Sequence, residues 1–282
     1  MSEPQRIVVC CEDGATSEQR IFAAADQGAP LLVVFPAMGV EARFYDRLAV
    51  ALNGVGLNVA LAEWRGLGTS NVRAARGSDF GYWTLLSQDI PAHLAAAQAH
   101  FPKARLYYLG HSLGGQVGTL YLGLQTVPIA GFILIATGSI HWRGWPGLGG
   151  LGVLTFTLLS RAVAEVVGHY PGEWMRFGGR EAKGVIRDWS YASLTGHFRP
   201  AGAPFDLEAR LAEVTTPVLA ISIAGDHWAP PSALDGLMRK LPKAPITRLH
   251  YQAEPHLEGH PHFAWAKTPG ALLESISTFV GG

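Results

Sequence analysis

Short, predominantly apolar runs recur along this chain, separated by segments whose apolar residues fall at helical spacing. That alternation leaves few folds open. The runs are Leu31–Phe35 (LLVVF) and residues 57–62, 105–109, 131–136 and 217–223, with a weaker one at Ile246–Tyr251. An apolar run without polar alternation fits a strand covered on both faces, as in a parallel sheet. Helical patterns fill the intervals at residues 41–52, 82–100, 113–124, 232–241 and 269–280. The expectation is an α/β chain: a mostly parallel sheet with helices on both faces. Residues 6–11 and 19–25, around Asp13-Gly14, read as an antiparallel hairpin. At 282 residues the chain has room for one or two domains.

The alternation breaks between the run ending at Ala136 and the one starting at Pro217. That stretch holds Trp142, Trp145, Trp174 and Trp189, with Phe156, Tyr170, Phe177, Tyr191 and Phe198. A structureless loop of this length is implausible in a compact domain. The expectation is an inserted, largely helical cap over residues 138–213 without a clear strand. Residues 1–137 and 214–282 then form the core. From Gly144 to Ser160 there is no charged residue, but Pro146 and Gly144, Gly147, Gly149, Gly150 and Gly152 interrupt it. Arg143 and Arg161 bracket a segment short of the ~20 apolar residues of a spanning helix. We expect a Gly-rich loop leading into a short buried or lipid-facing helix, and no membrane span.

Composition removes other classes. Lys+Arg and Asp+Glu are both 22, so the electrostatic footprint of a nucleic-acid binder is missing. A 48% hydrophobic chain without net charge is not intrinsically disordered. Cys10 and Cys11 are adjacent and cannot build a disulfide framework, which points to reduced thiols and a cytoplasmic location. The opening residues MSEPQR carry no visible signal peptide. No glycine pattern for phosphate or dinucleotide binding occurs in its required context, so no cofactor is expected. A homodimer is left open.

The strongest local signal is Gly110-His111-Ser112-Leu113-Gly114, followed by Gly115. It fits G-x-S-x-G, with an apolar run (RLYYL) before it and a helical run (LGGQVGTLYLGL) after it. The strand-to-helix corner is so tight that side chains at positions 110 and 114 meet neighbouring backbone, and the serine hydroxyl is left exposed. The helix that follows aims backbone N–H groups at the place where an oxyanion forms. A chance Gly-Ser turn does not explain the flanking strand and helix.

With these residues the chain resembles the α/β hydrolases over nearly its whole length. Glu63-Trp64-Arg65-Gly66-Leu67-Gly68-Thr69-Ser70 is similar to the family's D-x-R-G-x-G-x-S segment, with Glu for Asp. Phe35-Pro36-Ala37-Met38-Gly39 stands where the family places its oxyanion loop, with Pro36-Ala37 in place of the frequent His-Gly. The family order is Ser, acid, His. The resemblance implies that Asp226, which opens the D-x-x-A-P turn after residues 217–223, is the acid. Its task is to accept the histidine Nδ1–H and stabilise the imidazolium. The alternative is an Asp that caps the following helix. The segment Thr137-Gly138-Ser139-Ile140-His141 offers no competing carboxylate.

The base should follow the last strand, where His256, His260 and His262 compete. His262 leads because His262-Phe263-Ala264-Trp265 resembles a segment of a little-characterised bacterial subgroup of the family, which Met38-Gly39-Val40 also fits. His260 comes second. The alternation of His256, Glu258, His260 and His262 also invites a zinc reading. Pro255 and Pro261 make that segment irregular, and no metal is expected.

The resemblance implies attack by Ser112 on a small to medium hydrophobic ester or thioester, with the amides of Leu113 and Met38 as the oxyanion hole. Ala37, His111, Trp142, Trp145 and His227 are the candidate substrate-binding residues. The cap aromatics read equally as a substrate pocket or as the cap's own core. Two rivals stay open: acyl transfer by the same triad, and a non-catalytic ligand-binding protein on this fold.

Overall fold

The computed structural model describes residues 4–175, 177–252 and 259–281. Eight strands form one sheet in the order β1-β2-β4-β3-β5-β6-β9-β10. They are β1 (Gln5–Cys10), β2 (Thr16–Phe22), β3 (Leu31–Phe35), β4 (Asn58–Leu61), β5 (Leu106–His111), β6 (Gly131–Ile135), β9 (Val218–Ile223) and β10 (Ile246–Tyr251). β1 and β2 pair antiparallel, as do β2 and β4. Every later pairing is parallel.

The predominantly apolar runs have the expected cause. Every residue of β3, β4, β5, β6 and β9 is buried. Alternate residues of β3 point to opposite faces. Leu31, Val33 and Phe35 join one core layer with Leu106 and Tyr108; Leu32 and Val34 join the other with Tyr107 and Leu109. Burying each such Val or Leu contributes roughly 1.5–3 kcal/mol. The sequence-predicted helices appear with shifted ends. The 41–52 segment starts as a 3-10 turn (Ala42–Tyr45) before the helix Asp46–Gly54.

The segment between β6 and β9 departs from expectation in two ways. It contains a strand pair, β7 (His169–Pro171) and β8 (Arg180–Ala182), paired antiparallel. Both are too short to leave a legible pattern. The Gly-rich stretch is a loop only as far as residue 148: a single helix, longer than expected, then runs over Gly149–Val167, takes in Gly149, Gly150 and Gly152, and ends where Gly168 turns left-handed at φ 92°. Its glycines permit contact rather than interruption, since a Cβ on Gly150 would lie 2.5 Å from the Trp142 carbonyl oxygen. Among the described residues this helix alone has the length and hydropathy to cross a membrane. One side of it faces the cavity described below, and Leu151, Leu158, Leu159 and Val166 lie on its exposed side.

Candidate active site

β5 ends at His111, and the helix Leu113–Tyr121 starts immediately after Ser112. The residue between them has φ 51° and ψ −111°, a left-handed backbone rare for a side chain other than glycine. The corner is held from several directions. The Ser112 amide donates to the Ile135 carbonyl, the Thr137 hydroxyl donates to the Ser112 carbonyl at 2.7 Å, and the Gly114 amide donates to the Pro36 carbonyl.

Ser112 and His262 line one cavity of about 260 Å³. The loop after β9 reaches the same place through His227 and Trp228. His262 Nδ1 lies 2.8 Å from Asp226 Oδ2, and both side chains are almost wholly buried. Asp226 Oδ1 accepts the amides of Trp228 (2.9 Å) and Ala229 (3.2 Å), so the carboxylate also ends the turn as a local cap. It does not cap the following helix, Pro231–Met238, whose N-cap is Pro230 without a side-chain cap bond.

The structure brings Asp226 to His262 and gives His260 another task. His260 caps the helix Pro261–Lys267, its Nδ1 accepting the His262 amide at 3.2 Å. Its imidazole packs on Trp228, with ring centroids 4.5 Å apart. His256 and Glu258 lie outside the described residues. Of the proposed zinc-like set, His262 has its Nδ1 already engaged by Asp226.

The remaining candidates fall in different places. Trp145 and His227 line the cavity, linked by the Trp145 Nε1–H donating to the His227 carbonyl. Trp142 does not line it; its ring packs beneath the Arg143 guanidinium. Ala37 and His111 are buried and likewise absent from the wall, because the Tyr45 hydroxyl holds both from behind. Among the described residues the amides of Met38 and Leu113 donate to no other group.

Apart from Gln116, the rest of the wall is apolar. Phe156, Phe177 and Trp189 come from the insertion, Ile140 from the start of it, and Trp228 from the loop after β9. Trp228 and Gln116 were not legible as wall residues, though Trp228 stands only two positions beyond the acid. A larger recess of about 660 Å³, formed mainly by residues 197–208, is lined by none of the candidate residues. A serine and an imidazole that line one cavity, with a buried carboxylate on the imidazole Nδ1, are the kinds of group that nucleophilic catalysis by serine uses.

Residues 27–179, just over half of the chain, match the model of the family described as serine aminopeptidase, S33 (Hydrolase_4). A stretch of 111 residues is 28% identical to the monoglyceride lipase of Mus musculus, spanning 39% of this chain and 36% of that protein. A solved hydrolase from Pseudomonas aeruginosa PA01 superposes with a TM-score of 0.59 at 22% identity, over 99% of each chain. The esterase EaEST from Exiguobacterium antarcticum does so with a TM-score of 0.64 at 15% identity, over 99% of this chain and 100% of that one. At these identities the solved structures speak to the fold.

Proposed function

Since the chain belongs to the S33 serine aminopeptidase-like family of α/β hydrolases, we propose that it is a serine hydrolase cleaving carboxylic esters or thioesters of small to medium hydrophobic substrates. The observation that carries this reading is the strained Ser112 at the wall of an apolar cavity that it shares with His262, itself paired to Asp226. The monoglyceride lipase resemblance supports the ester class. A cavity with aromatic walls and few polar groups suits an apolar acyl or alcohol moiety.

In this mechanism His262 takes the proton of Ser112 Oγ as the oxygen attacks the carbonyl carbon. The resulting oxyanion accepts the amides of Leu113 and Met38, each such donor being worth roughly 3 kcal/mol of barrier. Asp226 keeps the ring proton on Nδ1 and stabilises the imidazolium. Collapse breaks the carbonyl carbon–leaving-group bond, and His262 returns its proton to the departing alcohol or thiol. Water, deprotonated by the same imidazole, then releases the acid and restores Ser112. The reaction takes place in the cytoplasm, on a small molecule, with neither metal nor cofactor.

A fluorophosphonate probe tests the reading. Covalent labelling at Ser112, lost in Ser112→Ala together with hydrolysis of nitrophenyl esters, is the expected result. A protein that binds such esters without turnover or labelling is a binding module, and the proposal falls.

A further inference from the structure

The loop before Met38 is clamped at both of its preceding residues. The Pro36 carbonyl accepts the Trp64 indole N–H at 2.9 Å and the Gly114 amide at 3.1 Å. The Ala37 amide donates to the Tyr45 hydroxyl at 3.0 Å, and that hydroxyl lies 2.6 Å from His111 Nδ1. Tyr45 and His111 are both fully buried. Tyr45 stands at the end of the 3-10 turn Ala42–Tyr45, whose first amide donates to the buried Glu63 carboxylate at 3.0 Å.

The protons in this chain can be assigned. Burial holds the Tyr45 phenol protonated, pushing it far above its usual range. Burial, and then the neighbouring His262 imidazole, holds His111 well below its usual range, so its ring is neutral. The Tyr45 oxygen already accepts the Ala37 N–H, so its single hydrogen goes to His111 Nδ1. The opposite arrangement, with His111 donating, strands the phenol hydrogen and leaves Nε2 a bare acceptor, whereas this one leaves only the Nε2 hydrogen without a bonded partner. His111 therefore carries its ring proton on Nε2. Its ring centroid is 4.9 Å from that of His262, and its backbone leads directly into Ser112.

We propose that Tyr45 is a positioning residue for the oxyanion hole: by taking up the Ala37 amide and donating to His111 Nδ1, it directs the next loop amide, that of Met38, toward Ser112 and ties the loop to the nucleophile's own strand. This inference rests on the serine-hydrolase reading. Tyr45 touches neither substrate nor cavity; it acts through Ala37 and His111. Without its hydroxyl, two buried polar groups lose their partners and the loop has an alternative amide to present.

The test pairs steady-state hydrolysis of a nitrophenyl ester with inhibition by a trifluoromethyl ketone of matching acyl length. The ketone adds reversibly to a reactive serine and places an oxyanion in the hole, so its inhibition constant reports the hole directly. Tyr45→Phe should lower kcat about 10- to 100-fold. KM should stay within about two-fold, because ground-state binding is untouched. The ketone's inhibition constant should rise by the factor that kcat loses. His111→Leu removes the same hydrogen bond from its other end and should do the same, whereas His111→Asn, which keeps an acceptor near the Nδ1 position, should recover most of the loss. The His111 pair carries the test if Tyr45→Phe does not fold. Unchanged kcat, or a fall in kcat with unchanged ketone affinity, overturns the proposal. A wild-type protein inert toward ester, ketone and fluorophosphonate overturns the parent reading, and with it this one.

Discussion

His262 Nδ1 lies 2.8 Å from Asp226 Oδ2, while Oδ1 of the same carboxylate accepts the amides of Trp228 and Ala229. Two donors therefore dictate which way an amide in that position must turn. In Asp226→Asn the side-chain oxygen stays with the Trp228 and Ala229 amides, and the NH₂ faces His262. The imidazole then has to accept at Nδ1 and moves its proton to Nε2, the atom that must receive the Ser112 proton. We expect kcat to fall about 10⁴-fold with the fold intact, the scale that the wrong tautomer brings to a serine triad. Nitrophenyl ester kinetics alongside circular dichroism check it. A loss of only a few-fold would remove Asp226 from the relay.

Gly114→Ala should harm stability and rate together. A Cβ there would lie 2.3 Å from the Phe35 carbonyl oxygen and 2.9 Å from that of Pro36, both backbone atoms of the loop that leads to Met38. No side-chain rotation relieves such contacts, so the loop or the helix Leu113–Tyr121 must shift. Overpacking of this kind costs about 1–3 kcal/mol. Urea unfolding should register that loss, and kcat should fall by more than KM changes, because the oxyanion donors flank the displaced atoms.

Much of this architecture was legible because its causes are local. Leu31–Phe35 is apolar throughout, and its counterparts nearly so, since both faces of each strand are covered. Ser112 is recognisable because the corner needs glycines on either side. The choice between His260 and His262 was not decidable by spacing. It turns on where a helix begins: Pro261 starts it, His260 caps it, and His262 points its Nδ1 at Asp226. Tyr45 was invisible because its partner His111 is 66 positions away and the link is a single hydroxyl. The glycines at 149–152 misled for a physical reason. Glycine lowers helix propensity, but here Gly150 allows the close approach of Trp142, and tertiary contact outweighs propensity. Three-residue strands such as β7 and β8 carry too few positions to show a period of two.

The cavity wall offers a way to set acyl length. Gly152 lies on the cavity side of the helix Gly149–Val167, and a Cβ there meets nothing within 4 Å. Gly152→Leu therefore fills cavity space without backbone strain and improves helix propensity by about 1 kcal/mol. Each methylene of acyl chain that the leucine displaces should lower kcat/KM about four-fold, the equivalent of ~0.8 kcal/mol per buried CH₂. A series of nitrophenyl esters from acetate to decanoate should show a steeper decline with length in the variant. A parallel downward shift at every length would place the acyl chain elsewhere.

Glu181 gives the pH dependence of stability a definite sign. It is buried on β8, its Oε1 has no partner, and burial pushes its carboxyl from 4.5 up to about 7 against the pull of the Gly179 and Gly39 amides. The folded chain thus holds a proton that the unfolded chain releases, so this group's contribution to stability falls as pH rises from about 4.5 to about 7 and stays low above that. The swing is on the order of 3 kcal/mol. Glu181→Gln removes the ionisation, so thermal unfolding should show a variant more stable than wild type at pH 8, with the gap closing toward pH 5. The slope should be reduced but not abolished, because Glu63, Asp89 and Asp188 are raised by burial in the same direction. The effect should also reach the active site, since Gly39 follows Met38 and its Cα lies 3.0 Å from where a Cβ on Gly179 would sit. If the variant keeps the full wild-type slope, Glu181 is ionised at little cost and the contact between the inserted segment and the oxyanion loop is not under pH control.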